Sequence, residues 1–222
     1  MSLTAERNEQ FSEQAYWEQR YQDDSEPDFD WFKTYQDLEP ILTSTIGAKT
    51  SRILMLGCGN STLSGDMYSA GYEQIVNIDY SRTCIARQSL RYPRQTWHVV
   101  DITQLTASQD TVDQLGGLGS FDIGLDKGTL DALIAQPRGS DPWNLPSNLE
   151  EKVDMYLRGT YQLLKPAGKF VYITFGQPHF RLNLLSKLDW IVETQSLGDM
   201  FHYYVYICTK PSGPQDGGSM ID

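Results

Sequence analysis

Short apolar runs alternate with amphipathic segments along most of the chain, and turn-forming residues separate them. The apolar runs predict five strands, at 52–56, 74–78, 96–100, 121–125 and 169–175. Helical spacing and capping residues predict helices at 61–70, 81–91, 148–164 and 179–188, with a short helix inside 102–120. Strands that alternate with helices in this way predict a parallel sheet with right-handed crossovers and helices on both faces.

The end of the pattern differs, because two predicted strands follow each other without a helix between them. They cover 190–196 and 202–209, and the link at 197–201 is too short for a crossover connection. The final strand is therefore expected to run antiparallel. The whole pattern predicts an α/β fold with a seven-stranded, mostly parallel sheet and an antiparallel last strand.

Residues 1–46 precede the alternating pattern and are expected to form an N-terminal helical extension or lid. A helix is predicted at 9–21, an acidic loop at 23–30, and a second helix at 31–45 that is interrupted near Pro40. Residues 47–210 are the predicted core and 211–222 a flexible tail. No linker is apparent, so the chain is expected to be one domain, 1–222.

The composition fits a globular protein, with 222 residues, 40 % hydrophobic and 21 % charged. The chain lacks an apolar run of membrane-spanning length and an apolar N-terminal signal core. Three widely spaced cysteines argue against a disulfide framework and for a reducing compartment. We therefore expect a cytoplasmic, monomeric protein without membrane contact, and a nuclear location stays open.

The net charge of −11 argues against nucleic acid as a partner, because a phosphate backbone would be repelled. A basic protein is the more natural partner, since opposite potentials accelerate encounter. The alternative is that the acidic surface serves solubility alone. Three scattered histidines do not form a zinc motif, so no metal is expected.

A glycine turn follows the first strand, where Gly57 and Gly59 lie in the segment Leu-Gly-Cys-Gly-Asn-Ser. Asp79 ends the second strand, and an acid at that place can accept hydrogen bonds from a ribose diol. Together these residues predict an adenosine-containing cofactor. The dinucleotide fingerprint needs a third glycine, but Thr62 occupies that position, which argues against a nicotinamide dinucleotide.

Two further acids follow strands, Asp101 after the third and Asp126 after the fourth. Ligands of open parallel sheets bind outside the carboxyl ends of the strands, where these acids and the glycine turn meet. The joint pattern resembles the seven-strand, class I, Rossmann-like S-adenosylmethionine methyltransferases. Many members of that family carry an acid two residues before the first glycine, where this chain has Met55.

A closer resemblance extends over roughly residues 12–210. Over this range the chain resembles the lysine methyltransferases of eukaryotic translation elongation factor 1-alpha, in which the acid before the turn is often missing. The segments that carry it are Tyr-Trp-Glu-Gln-Arg-Tyr at 16–21, Phe-Asp-Trp-Phe at 29–32, the glycine turn at 56–61, Ile-Asp-Tyr-Ser at 78–81, Asp-Lys-Gly-Thr-Leu-Asp-Ala-Leu at 126–133, Pro-His-Phe-Arg at 178–181 and Phe-His-Tyr at 201–203. The resemblance implies a protein-lysine N-methyltransferase that uses S-adenosylmethionine, releases S-adenosylhomocysteine and modifies a basic translation factor.

Each residue of the predicted cofactor site has an assigned role, and several have an alternative. Gly57 and Gly59 let the backbone approach the cofactor, or form an ordinary tight turn. Asp79 accepts both ribose hydroxyls. In the sequence interpretation, three more residues surround the adenine: Tyr80 packs on the ring or only in the core, Asp101 meets the amino group or caps a helix, and the Ile102 backbone lies beside it.

The resemblance also implies that the N-terminal segment closes over the cofactor through Trp17, Tyr21 and Trp31. Their aromatic faces can attract the sulfonium, and the alternative is an aromatic stripe that packs on the domain. Lys127 is expected to pair with the cofactor carboxylate or to contact the methionyl part through its backbone. A solvated lysine is the alternative.

Methyl transfer from a sulfonium is an in-line displacement, so the enzyme mainly supplies proximity and orientation. A carboxylate beside the lysine amine favours the charged form of the amine. Asp126 is therefore predicted to orient the amine and not to act as a strong base. Phe175 and Phe180 are predicted walls of the lysine channel, and His179 a wall or relay, or a surface histidine. Alternative functions are a small-molecule methyltransferase with 136–147 as a lid, a catalytically idle cofactor-binding partner of the translation machinery, and a dehydrogenase.

Overall fold

A computed structural model describes residues 5–23, 29–141, 143–198 and 202–213. Its strands are β1 (Ile53–Leu56), β2 (Ile75–Asp79), β3 (Thr96–Val99), β4 (Phe121–Lys127), β5 (Leu164–Thr174), β6 (Ile191–Leu197) and β7 (Tyr203–Thr209). They form one sheet in the order β3-β2-β1-β4-β5-β7-β6. Neighbours from β3 to β5 pair in parallel, whereas β7 runs antiparallel to both β5 and β6. The predicted α/β sheet with an antiparallel last strand is confirmed.

The helices cover both faces of this sheet. They are α1 (Gln14–Gln22), α2 (Tyr35–Ile46), α3 (Leu63–Ser69), α4 (Arg82–Arg91), α5 (Gln109–Gln114), α6 (Thr129–Leu133), α7 (Ser147–Leu163) and α8 (Pro178–Leu185). Side chains alternate between the faces of a strand, so β1 contributes to two cores. Leu54 and Leu56 belong to one buried cluster, and Ile53 and Met55 to the other. The site described below lies between these layers, at the carboxyl ends of the strands.

The N-terminal extension differs from its prediction in two respects. The predicted helix at 9–21 is split into a 3₁₀ turn, Asn8–Ser12, and α1. The predicted break near Pro40 is wrong, because α2 runs through this residue without interruption. Pro40 and Gln36, whose carbonyl loses its intrahelical donor, are both exposed, so water can satisfy that carbonyl.

The connection from α7 to β5 also differs from the prediction. The sequence predicts a helix to 164 and a strand from 169, but β5 begins at Leu164, directly after the helix. Leu164 is buried and pairs with Phe121, and the register then shifts so that Ile123 pairs with Lys169, which leaves the extra residues in β5. Helix α7 begins at Ser147 after Pro146, one residue earlier than the predicted cap at Asn148.

Several predicted features fall wholly or partly on residues that are not described. The acidic loop falls mostly on 24–28, the link before β7 on 199–201 and the tail on 214–222. Across the described ranges, no helix combines the length and the apolar character that a bilayer crossing requires.

Candidate cofactor and active site

A cavity of about 800 Å³ opens at the carboxyl ends of the strands, beneath the N-terminal extension. Its volume lies within the range of small-molecule and cofactor sites, roughly 300–1,000 Å³. All of the residues that the sequence predicted for cofactor binding line this cavity. They come from the extension, the turn after β1, and the ends of β2, β3 and β4. The fold therefore brings the predicted cofactor residues together.

The glycine turn passes too close to its neighbours for side chains. Gly57 and Gly59 have φ angles of 66° and 54°, in the left-handed region that favours glycine. A Cβ atom on Gly57 would lie 2.4 Å from Oγ1 of Thr129, and one on Gly59 would lie 2.9 Å from the hydroxyl of Tyr21. The turn therefore presents bare backbone to the cavity, as close approach of a ligand requires.

Asp79 ends β2 as a buried carboxylate on the cavity wall. It accepts hydrogen bonds from the backbone N–H groups of Gly59, at 3.0 Å, and Ser81, at 2.9 Å. Burial raises the pKa of Asp79 to about 6, although these backbone hydrogen bonds act in the opposite direction. The two backbone donors fix the carboxylate beside the glycine turn.

Asp101 caps a helix and also lines the cavity, and its contact with adenine stays a prediction. Its Oδ1 accepts from the backbone N–H of Thr103 at 2.8 Å and from the Thr103 hydroxyl at 2.9 Å, which caps the 3₁₀ turn Ile102–Gln104. Asp101 and Ile102 also line the cavity. The cap is thus present, and it holds the residue at the position that was predicted to meet adenine.

The aromatic residues of the extension are both packed and cavity-lining. Trp17 and Tyr21 are buried and stack at 5.8 Å between ring centroids, with Trp31 and Tyr80 packed against this cluster. The guanidinium carbon of Arg20 lies 5.8 Å from the ring centroids of both Trp17 and Trp31. A cation of the chain itself therefore already contacts the rings that were predicted to attract the sulfonium.

The Lys127 side chain is only 5 % exposed, so the alternative of a solvated lysine is wrong. Its Nζ donates to Oδ1 of Asp30 and to the carbonyl of Trp31, both at 3.0 Å. Burial lowers the pKa of Lys127, and the neighbouring Asp30 carboxylate opposes this effect. The ion pair ties the extension to β4, while the predicted contact of Lys127 with the cofactor stays a prediction.

Asp126 does not lie where the predicted orienting role requires it. Its side chain is fully buried and lies behind the residues that line the cavity. It accepts from the N–H groups of Thr129, at 2.8 Å, and Leu130, at 2.9 Å, and from the Tyr156 hydroxyl at 2.7 Å. Burial raises its pKa to about 7. These bonds identify Asp126 as the residue that fixes the start of α6.

The two phenylalanines predicted to wall a lysine channel line the cavity, whereas the predicted histidine does not. Phe175 and Phe180 line the cavity. His179 is exposed and is absent from the lining, and its ring contacts Phe180 at 3.9 Å and Trp143 at 5.3 Å between centroids. The geometry gives His179 a packing role at the rim, and its predicted relay role finds no support.

The structure adds two residues that the sequence interpretation did not single out. Asp131 of α6 and Arg181 of α8 both line the cavity. Arg181 donates to Oδ1 of Asp131 at 2.7 Å, and Thr174 donates to the same oxygen at 2.7 Å. Both residues belong to the segments that carry the family resemblance, at 126–133 and 178–181. That was the available signal, but only the tertiary fold joins them.

Comparison with known proteins finds relatives in sequence and solved structures of similar fold. No family model matches the chain. It is 36 % identical over 213 residues to EEF1A lysine methyltransferase 4 of Mus musculus, covering 92 % of this chain and 78 % of that protein. It is 29 % identical over 204 residues to the eEF1A lysine and N-terminal methyltransferase of Bos taurus, covering 89 % of this chain and 27 % of that protein.

The fold is also that of solved methyltransferase structures. The N-methyltransferase NodS of Bradyrhizobium japonicum, solved with S-adenosylhomocysteine, superposes with a TM-score of 0.58 at 16 % identity. The match covers 87 % of this chain and 96 % of that one. At such low identity the likeness establishes the fold alone.

Proposed function

From the premise that this chain belongs to the eEF1A lysine methyltransferase family, we propose that it methylates a lysine side chain of eukaryotic elongation factor 1-alpha. The chain is an S-adenosylmethionine-dependent methyltransferase. The observation that carries the proposal is the single cavity on which the glycine turn, the strand-end acids and the aromatic extension converge. The net charge of −11 suits a basic protein substrate, and we propose that the two meet in the cytoplasm.

The residues of the cavity fit the cofactor in chemical type. In the proposed arrangement, the turn at Gly57 and Gly59 lets the methionyl and ribose parts approach the backbone. Asp79 accepts hydrogen bonds from the ribose hydroxyls. Tyr80 packs against the adenine, and Asp101 accepts from its amino group. Each of these residues lines the cavity in the order of the strands, which supports the assignment.

When bound, S-adenosylmethionine supplies a methyl group that its sulfonium activates. The neutral lysine amine would accept this methyl group through its lone pair, with the C–S bond breaking as the N–C bond forms and S-adenosylhomocysteine as the product. The protein's task is to position the amine in line and to exclude water, since holding two reactants in the right geometry lowers the barrier of a displacement. Phe175 and Phe180 provide the apolar walls for the lysine stem.

The proposal is tested with purified elongation factor 1-alpha and methyl-labelled S-adenosylmethionine. We expect label on lysine, located by mass spectrometry, and a measurable affinity for S-adenosylhomocysteine by calorimetry. Label on a metabolite extract but not on the factor would instead establish a small-molecule enzyme. Cofactor affinity without any transfer in a single turnover would identify an idle binding protein.

Asp79 gives a pH dependence whose sign follows from its role. Hydroxyl donors favour the carboxylate, so binding should lower its pKa below the value of about 6 in the free protein. Affinity for S-adenosylhomocysteine is therefore expected to rise between pH 5 and about 6.5 and then to level off. The total rise is about tenfold for each unit by which binding lowers the pKa of Asp79. Calorimetry across this range, with its accompanying proton release, measures the effect.

The Asp79→Asn variant should flatten this profile and weaken binding at pH 7 by about ten- to hundred-fold. Asp122→Asn is the matched control. Asp122 lies at the opposite end of the sheet, outside the cavity, and its carboxylate also accepts a backbone N–H, that of Arg52. Equal binding of the cofactor product by Asp79→Asn and the parent protein would remove Asp79 from the ribose site.

A further inference from the structure

One carboxylate oxygen on the cavity wall is buried without a hydrogen-bond partner. It is Oδ2 of Asp131, and among the described residues none donates to it. The Asp131 side chain is only 7 % exposed, and the residue lines the cavity. Leaving a charged acceptor buried without a donor costs more than leaving a neutral one so. Such an oxygen indicates a donor that arrives with a ligand.

The other oxygen of the same carboxylate is fixed from two sides. Oδ1 of Asp131 accepts from Arg181 and from the Thr174 hydroxyl, both at 2.7 Å. Arg181 is itself immobilised, since its Nε donates to the Tyr172 hydroxyl at 3.0 Å. Its side chain also packs on Gly176, where an added Cβ would lie 2.4 Å from Nε. The carboxylate is therefore oriented, and its second oxygen remains unpaired.

We propose that Oδ2 of Asp131 accepts a hydrogen bond from the amino group of the incoming substrate, and that Arg181 positions this carboxylate. The proposal rests on the proposed function, because it names the residue that recognises the lysine. The ligand class is a primary alkyl ammonium or amine, which offers N–H donors at the end of an apolar stem. The Asp131 side chain lines the cavity, so an amine that enters it meets this carboxylate while Oδ1 stays bonded to Arg181 and Thr174.

The pairing with Arg181 also resolves a conflict between binding the amine through a carboxylate and keeping that amine neutral. A lone carboxylate beside the amine would favour the charged ammonium, which has no lone pair for attack. The Arg181 guanidinium offsets most of that effect while it leaves the acceptor in place. Asp131 thus orients the amine without holding its proton tightly, and the proton passes to water before the methyl group transfers.

The proposal is tested first without the protein substrate. The probe is n-butylammonium, a mimic of the lysine side chain, and its binding to the protein loaded with S-adenosylhomocysteine is followed by NMR. The parent protein should bind it at millimolar concentrations, and n-butanol, the uncharged control, should bind more weakly. In Asp131→Asn the affinity for n-butylammonium should fall about tenfold or more, with cofactor affinity unchanged.

Asp131→Glu is a second variant in case the Asn variant does not fold, because it retains the charge opposite Arg181. It displaces the oxygens by one methylene and should also lose binding of n-butylammonium. Gly176→Ala should displace Arg181 and reduce this binding while Asp131 itself is unchanged. Undiminished binding of the probe by the folded Asp131 variants, or no preference of the parent protein for n-butylammonium over n-butanol, would overturn the proposal.

Activity then separates this proposal from the proposed function. If the parent protein methylates elongation factor 1-alpha, Asp131→Asn should lower kcat/KM by about ten- to hundred-fold at equal cofactor affinity. If the factor is not methylated but n-butylammonium binds through Asp131, the substrate assignment fails and the amine site stands. If the factor is methylated equally by both proteins, the Asp131 assignment fails alone.

Discussion

Replacing Lys127 with methionine is expected to lower the free energy of unfolding by about 3 kcal/mol, the low end of the range for a broken buried ion pair. The Lys127 and Asp30 side chains are only 5 % and 14 % exposed. Methionine retains the apolar stem but leaves the Asp30 carboxylate without its cation. The loss stays at the low end because the hydroxyls of Ser61 and Thr62 still donate to Asp30.

The same variant should weaken cofactor binding, because the ion pair holds the extension against β4. Trp31, whose carbonyl accepts from Lys127, is part of the cavity wall. Urea unfolding with and without S-adenosylhomocysteine measures both effects. Asp30→Asn combined with Lys127→Met should recover part of the stability, since no unpaired charge then remains buried.

Lys165→Met is the matched control for this experiment. Lys165 also pairs with an aspartate, Asp122, at 2.8 Å, but their side chains are 42 % and 35 % exposed. Solvent screens that pair, so the expected loss is below about 1 kcal/mol. Equal losses from the two lysine substitutions would show that burial of Lys127 does not determine its contribution.

The sequence predicted the sheet because its signals are local. Apolar runs, the helices between them and the short link before β7 fix the strand types and directions without knowledge of distant contacts. The errors lie where tertiary contacts decide. Pro40 breaks a helix in isolation, but α2 continues because its exposed side tolerates the missing bond. Leu164 belongs to a strand because it pairs with Phe121, which lies forty-three residues earlier in the chain.

The candidate site shows the same division between local and long-range information. The placement of Gly57, Asp79 and Asp101 was predictable because each lies at the carboxyl end of a strand, and strand ends of a parallel sheet converge. The aromatic residues of the extension follow no strand and were suggested only by the family resemblance. Asp126 was also placed at a strand end, but the sequence could not reveal that its side chain turns inward to Tyr156. In this segment the acid that lines the cavity is Asp131, and its partner Arg181 lies on another helix. No periodicity links these two positions.

Replacing Gly57 with alanine is expected to lower kcat/KM for methyl transfer on the order of 100-fold, because small displacements of positioning groups have effects of this size. Two costs combine at this residue. Its φ of 66° is unfavourable for alanine by about 1–2 kcal/mol. The added Cβ would also lie 2.4 Å from Oγ1 of Thr129, which donates to the Leu56 carbonyl at 2.8 Å. The turn must therefore shift where the cofactor approaches it.

Gly119→Ala separates these two costs, because Gly119 has a φ of 59° and its added Cβ would meet nothing within 4 Å. It should lose about 1–2 kcal/mol of stability through backbone strain, with unchanged affinity for S-adenosylhomocysteine. In the Gly57→Ala protein, adding Thr129→Ala should relieve the clash and recover part of that affinity. Wild-type cofactor affinity in Gly57→Ala alone would show that the close approach at this turn is not needed for binding.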